Sequence, residues 1–155
     1  MQLYFYNDTY QQAVDEYQIT EDQLRFTGSP KECTELSLNN PDRFAILAVE
    51  NGNLVTYFNL HKNEGVNPYS NNPNAILLRA FSTDTRHLGK GYAKRALKIL
   101  PNFVREHFTG INEIVLAVNV QNEVAQNLYK KCGYVDEGAR TMGPKGELII
   151  MSYYL

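Results

Sequence analysis

Hydrophobic residues recur along this chain with two periods, and the two periods distinguish strands from helices. Alternating or compact apolar runs predict strands at Gln2–Tyr6, Phe44–Glu50, Leu54–Leu60, Ala75–Thr83, Glu113–Asn119, Tyr134–Ala139 and Leu148–Leu155. Apolar residues three and four positions apart, together with capping signals, predict helices at Tyr10–Gln18, from Thr20 to the Gly28-Ser29-Pro30 stop, at Pro30–Leu38, at Gly91–Phe108 and at Gln121–Lys131.

Local signals indicate how several of these elements begin, turn and end. Asn51-Gly52-Asn53 predicts a tight hairpin, because Asn and Gly adopt positive φ at low cost. Thr20 and Gln23 have the spacing of a capping box. Pro101 is expected to kink or break the long helix. The polar segment Asn63–Asn74 is expected to form an exposed loop.

The order of the elements predicts the fold class. A strand, several helices, a three-strand meander, a helix, a strand, a helix and two final strands indicate an α+β fold with a mixed sheet between helices. The 155 residues are expected to form a single domain, spanning 1–155.

Composition and charge exclude several classes of function. A net charge of −2 gives no sign of nucleic-acid binding. The chain has no signal-peptide pattern and no apolar run of membrane-spanning length, so it is expected to be cytoplasmic. Cys33 and Cys132 lie far apart and are expected to be buried hydrophobes, and the three histidines lack metal-ligand spacing, so no metal is expected.

The segment Ala75–Arg95 carries the strongest chemical signal. A buried strand runs through a turn into Leu88-Gly89-Lys90-Gly91-Tyr92-Ala93 and then into a helix. We call these six residues the glycine loop. Backbone N–H groups at a helix N-terminus suit a phosphate. An isolated Gly-x-Gly is more often a simple capping turn, and the loop matches neither a Walker A sequence nor a dinucleotide-binding fingerprint.

A second motif changes the balance between these interpretations. Asn122, Ala125, Leu128, Tyr129 and Gly133 stand at the spacing N-x-x-A-x-x-L-Y-x-x-x-G, followed by an aromatic residue. Alone, this is an amphipathic helix with a glycine stop and a core tyrosine. Together with the glycine loop, it resembles the GNAT superfamily of N-acetyltransferases over roughly residues 44–155.

In that family a loop of the form Q/R-x-x-G-x-G/A holds the pyrophosphate of acetyl-CoA. Two registers fit, one starting at Leu88 and one at Arg86. We prefer the register at Leu88, because it puts Gly91 and Ala93 at the helix start, although Leu replaces the family's polar first residue.

The resemblance implies a GNAT-like fold, with a central mixed, mostly antiparallel twisted sheet of about six to seven strands and helices on both faces. It implies acetyl-CoA as cosubstrate, direct transfer to a primary amine of a small molecule or protein without an acyl-enzyme, and Tyr129 as general acid. The cofactor-binding residues that it implies are Phe81, Ser82, Thr83, Leu88, Gly89, Lys90, Gly91, Tyr92, Ala93, Asn122, Ala125 and Tyr129.

The sequence leaves the general base and the acceptor open. Each of Glu32, Glu35, Glu50 and Glu64 is a candidate base, and Arg79 faces either a pocket, a carboxylate partner or solvent. A polyamine, an amino acid, an aminoglycoside-like compound and a protein amine all fit as acceptor. No nucleic-acid or membrane partner is expected, and a homodimer is compatible with the sequence.

Two other functions compete with the enzyme. One is a non-catalytic acyl-CoA-binding or sensor module of the same fold, against which the retained Tyr129 argues. The other is a plain α+β interaction domain, which requires both motifs to be coincidental.

Overall fold

A computed structural model describes residues 1–155 and contains one seven-stranded mixed sheet with five α-helices. The strands lie in the order β1-β2-β3-β4-β5-β7-β6, and only β4 and β5 are parallel neighbours. The strands are β1 Gln2–Phe5, β2 Arg43–Glu50, β3 Asn53–His61, β4 Ala75–Thr83, β5 Glu113–Asn119, β6 Val135–Gly143 and β7 Gly146–Tyr154. The helices are α1 Gln11–Asp15, α2 Glu21–Leu24, α3 Pro30–Leu38, α4 Tyr92–His107 and α5 Glu123–Lys131.

The two faces of the sheet bury separate hydrophobic clusters. On the face that we call the α4 face, α4 and α5 pack against the sheet through residues such as Leu97, Leu100 and Tyr129. On the opposite α3 face, Val14 and Cys33 of the N-terminal helices pack against strand residues such as Tyr57. Helices therefore cover both faces, which confirms the predicted α+β arrangement.

Strand β4 changes partner along its length, and this positions the site. Its first residues, Ala75–Leu77, pair with Glu113–Val115 of β5, and no later residue of β4 does. A bulge against β3 coincides with Ala80, a non-glycine residue with φ of 55°. The edge of β4 that follows Leu77 is thus unpaired on the β5 side, which leaves backbone groups free in the middle of the sheet.

Most of the predicted elements are present, with revised ends. The hairpin turn has positive φ at Asn51 and Gly52, and the Thr20–Gln23 capping box forms. Strands β6 and β7 extend further towards each other than predicted, to Gly143 and Gly146.

Two predictions about helices were wrong in detail. The first helix is shorter, because a 3₁₀ turn occupies Asp8–Tyr10 and α1 ends at Asp15, after which Tyr17 enters the core. Helix α4 runs unbroken through Pro101, so the predicted break is wrong, while the predicted kink stays a prediction. Its buried apolar residues on both sides of the proline hold the two halves against the sheet, which offsets the lost hydrogen bond. None of the helices has the length and apolar character that a membrane span needs.

Candidate active site

The glycine loop exposes a run of free backbone donors at the start of α4. Gly89 and Gly91 have φ of +76° and +77°, and Gly91 is the N-cap residue. The backbone N–H groups from Gly89 to Lys94 donate to no acceptor in the protein. Such a run at a helix N-terminus is a ready site for phosphate oxygens.

Both glycines leave open space beside the loop. A Cβ built at Gly89 or Gly91 meets no atom within 4 Å, so the glycines are required by backbone conformation and not by crowding. Leu88 is half exposed, at 50%, and contributes no polar group. The loop can therefore act on an anion through its main chain.

The structure also favours one of the two loop registers. The guanidinium of Arg86 donates to both carboxylate oxygens of the buried Asp84, with Nη2–Oδ2 at 2.7 Å and Nε–Oδ1 at 3.0 Å. The arginine holds the pKa of Asp84 low although burial raises it. Because Arg86 is engaged in this way, the register that starts at Leu88 fits better.

The end of β4 offers its backbone and keeps its polar side chains occupied. Ser82 Oγ lies 2.9 Å from the hydroxyl of Tyr17, and Thr83 Oγ1 lies 3.0 Å from that of Thr56. Phe81 packs against Phe58 and Tyr129 on the α4 face. The Thr83 carbonyl oxygen also accepts from Gln23 Nε2 at 2.8 Å, so what these three predicted residues can offer a ligand is the rest of their main chain on the side away from β3.

Tyr129 lies beside this strand edge. Its ring centroid is 6.1 Å from that of Phe81, and its hydroxyl has no hydrogen-bond partner in the protein. Burial raises its pKa, so the hydroxyl stays protonated at neutral pH. The hydroxyl of the adjacent Tyr134 is fully enclosed without a partner, whereas that of Tyr129 is not. Of the two hydroxyls, that of Tyr129 is the less enclosed, and its part as proton donor stays a prediction.

The other two residues of the second motif have a structural part. Asn122 caps α5, and its Oδ1 accepts from the backbone N–H of Ala125 at 3.3 Å. The cap aligns the helix that carries Tyr129. Cofactor contact by Asn122 and Ala125 stays a prediction.

Of the four predicted bases, Glu50 is ion-paired and the other three are exposed. The N-terminal amine and Arg95 hold the pKa of Glu50 below its usual range. Glu32 and Glu35 lie on the exposed side of α3, and Glu64 lies in the exposed loop. No carboxylate among them pairs with Arg79.

A polar cluster on the α3 face was not foreseen from the sequence. Arg43, Asn59, His61 and Arg79 come from β2, β3 and β4 and meet across the sheet, because Arg43 is in register with His61 and Asn59 with Arg79. Arg79 Nη1 lies 3.4 Å from His61 Nδ1. Among these four residues, the sequence indicated only Arg79, which is a charge inside an apolar strand. We call Arg43 and Arg79 the arginine pair.

The loop and the strand edge together fit the implied cosubstrate. A pyrophosphate needs several donors, which the free N–H groups from Gly89 to Lys94 offer. An extended amide-containing arm needs a strand edge, which β4 offers after Leu77. Only one 3₁₀ turn and the start of the glycine loop separate the free strand edge from these N–H groups along the chain.

Comparison with known proteins decides the family. A model of the Acetyltransferase (GNAT) family matches residues 5–134. The chain belongs to the GNAT acetyltransferase family. A curated relative, the "uncharacterized N-acetyltransferase YbbJ" of Bacillus subtilis strain 168, is 40% identical over 154 residues, which cover 99% of this chain and 96% of the relative.

Solved GNAT structures share the fold. AAC(6')-Ib in complex with paromomycin and acetyl-CoA has a TM-score of 0.80 at 16% identity, covering 98% of this chain and 92% of the other. A chimera of the spermidine N-acetyltransferase SpeG from Vibrio cholerae and hSSAT has a TM-score of 0.72 at 17% identity, with coverages of 99% and 96%. At these identities the likeness is one of fold.

The family membership confirms the resemblance inferred from the two motifs. The seven-stranded GNAT sheet has the predicted class and layering. The protein is an N-acetyltransferase, as its family and its curated relative indicate.

Proposed function

We propose that this GNAT protein, acting as one unit over residues 1–155, transfers the acetyl group of acetyl-CoA directly to a primary amine. One observation carries the proposal. One short connection joins the free edge of β4 after Leu77 to the free backbone donors from Gly89 to Lys94. They match the two ends of a phosphate-bearing, amide-containing cosubstrate.

Acetyl-CoA supplies the activated thioester acetyl group. The main chain at Phe81–Thr83 is the segment that orients the arm, and a free N–H there stabilises charge on the acetyl oxygen. Tyr129 holds a proton at its hydroxyl and gives it to the leaving thiolate. The Tyr129 hydroxyl has no hydrogen-bond partner in the fold that would compete for this role.

Direct transfer fits the state of both cysteines. Cys33 and Cys132 are buried, and burial raises the pKa of both thiols. A thiol that stays protonated is a poor nucleophile, so neither residue suits an acyl-enzyme.

Two measurements test the proposal. Equilibrium binding of acetyl-CoA should be detected, and release of free CoA should depend on an added primary amine. Binding without turnover across a broad amine panel would favour the non-catalytic acyl-CoA module. Absence of binding would contradict both functions.

A further inference from the structure

The arginine pair is a charged feature that the proposed chemistry does not use. Arg43 and Arg79 are both half-buried in the α3 face, on the two strands that flank β3. Burial lowers the pKa of Arg43, and Arg79 lies close enough for its charge to lower that pKa further. Two like charges in a partly desolvated place cost free energy unless something opposite binds there.

Buried polar groups hold one member of the pair in position. Asn59, which has no exposed surface, accepts from Arg43 Nε at 2.6 Å and donates to Tyr57 Oη at 3.0 Å. The Tyr57 hydroxyl also lies 2.7 Å from Thr34 Oγ1. This chain of hydrogen bonds fixes the guanidinium before any ligand arrives, which favours tight and specific binding.

No carboxylate neutralises the pair. The salt bridges of the protein join other groups, and neither Arg43 nor Arg79 takes part in one. Asp42 and Glu64 act on His61 at longer range, and Asp42 Oδ1 accepts from Asn63. The whole chain carries a charge of −2, yet this spot is locally cationic.

The pair also lies close to the predicted acetyl position. Arg79 stands two residues before Phe81, which is about 7 Å along a strand. The bulged Ala80 between them packs on the α3-face cluster, opposite the α4-face cluster that contains Tyr129. A ligand held by the arginine pair would therefore approach β4 from the side away from Tyr129.

We propose that the acceptor is a primary amine that also bears an acidic group, a carboxylate or a phosphate, and that the arginine pair binds this group. The proposal rests on the proposed acetyl transfer and names its substrate class. Guanidinium groups bind carboxylate and phosphate oxygens through paired, charge-assisted hydrogen bonds. Polyamines and aminoglycosides carry several positive charges at neutral pH, and the pair repels them.

The test compares amines that differ only in the acidic group. Tyrosine is measured against tyramine, and glucosamine 6-phosphate against glucosamine, with spermidine as a polycation. The readouts are kcat/KM at saturating acetyl-CoA, and calorimetric binding to the protein loaded with CoA, which permits no turnover. The two pairs separate a carboxylate from a phosphate.

The acidic member of at least one pair should be preferred by about 30-fold, the size expected for a charge-assisted contact. Arg79→Met should reduce that preference to near unity, and Arg79→Lys should keep part of it. Arg105→Met removes the same charge from an exposed position on α4 and should change neither readout.

Thermal unfolding separates binding from a structural role. Arg79 makes a single long contact, at 3.4 Å, so Arg79→Met should leave Tm at or above the parent value. A marked fall in Tm, equal binding of both members, or a preference for spermidine would overturn the inference. If no amine is acetylated, the proposed function fails, while the calorimetric preference still decides whether the pair binds an acid.

Discussion

The two sides of β4 are built in different ways. The cofactor side consists of main chain: the free N–H groups from Gly89 to Lys94 and the unpaired edge after Leu77. The proposed acceptor side consists of side chains, chiefly the arginine pair and His61, which come from three strands. A main-chain site suits a cosubstrate that every family member shares, whereas a side-chain site can vary with the acceptor.

The strongest test of the main-chain side is Gly91→Asp. Asp tolerates positive φ better than most residues, so the fold should survive while a carboxylate faces the phosphates. Losing two charge-assisted hydrogen bonds should raise the Kd for acetyl-CoA by about 10³-fold. Calorimetry measures the Kd directly.

Gly110→Asp is the matched control for this change. Gly110 has φ of +87° and open space around its Cβ position, as Gly91 does, but it lies beyond the other end of α4. It should bind acetyl-CoA like the parent. Parent-like binding by a folded Gly91→Asp variant would mean that the phosphates bind elsewhere.

Tyr129→Phe tests the one side chain that the cofactor side contributes to chemistry. Removing the hydroxyl should lower kcat by about 10²-fold, the lower range for general acid catalysis. The Kd for acetyl-CoA should change little, because the proton is needed mainly in the transition state. Rates are measured where chemistry limits turnover.

Tyr134→Phe provides the comparison. Its hydroxyl is buried without a partner, so deleting it should stabilise the fold slightly and leave kcat unchanged. An equal loss of kcat in both variants would assign the effect to packing of the aromatic rings and not to proton transfer.

The same contrast explains what the sequence could predict. Glycine spacing and the motif at Asn122–Tyr134 are local signals, so they located the glycine loop and Tyr129 before any tertiary structure was known. The hairpin at Asn51-Gly52 and the strand Ala75–Thr83 were equally local. The break predicted at Pro101 of α4 is absent because burial of its neighbours overrides the local cost.

The acceptor side was invisible because its members are far apart in the chain. Arg43, Asn59 and Arg79 meet only through strand register, and a slip of one residue would turn each to the other face. The bulge at Ala80 could not be predicted either, because no glycine marks the position of positive φ. Sequence spacing alone cannot report an arrangement that the assembled sheet creates.

A smaller effect is expected at the loop Asn63–Asn74, by which we predict that the acceptor enters. The loop forms a shallow depression lined mainly by asparagines. Its Gly65 and Val66 are buried and Asn72 bonds to Glu113, so shortening the loop would damage the fold. Exposed Asn67 and Asn71 can be changed more safely. The double Ala variant should raise the acceptor KM by about 10-fold through lost hydrogen bonds, with acetyl-CoA binding unchanged.

Asn102→Ala, at an exposed position of α4, is the control for the double variant. Acceptor kinetics are compared for several amines. Unchanged KM values for all of them would leave the loop as a simple connection between β3 and β4.

The smallest expected effect is a pH dependence of stability that reports on the arginine pair. Burial, Arg79 and Arg43 lower the pKa of His61 from its ordinary value of 6.5, against the weaker influence of Asp42 and Glu64. As the pH falls below about 6.5, the unfolded chain takes up a proton that the folded protein does not, so stability decreases. His61→Gln should therefore flatten the fall in Tm between pH 7.5 and 5.5, whereas Asn102→Ala, at an exposed position of α4, should not.

Arg79→Met should also flatten the fall in Tm at low pH, as His61→Gln does, because it removes one of the charges that keep the imidazole neutral. A bound acidic acceptor should act likewise, since its negative charge favours protonated His61. The pKa of His61 therefore reports whether a negative charge neutralises the arginine pair, and NMR titration of His61 measures that pKa. If neither Arg79→Met nor the acidic acceptor changes the pKa of His61, then Arg43, Arg79 and His61 do not form one electrostatic unit. The acceptor side would then have to be sought elsewhere on β4.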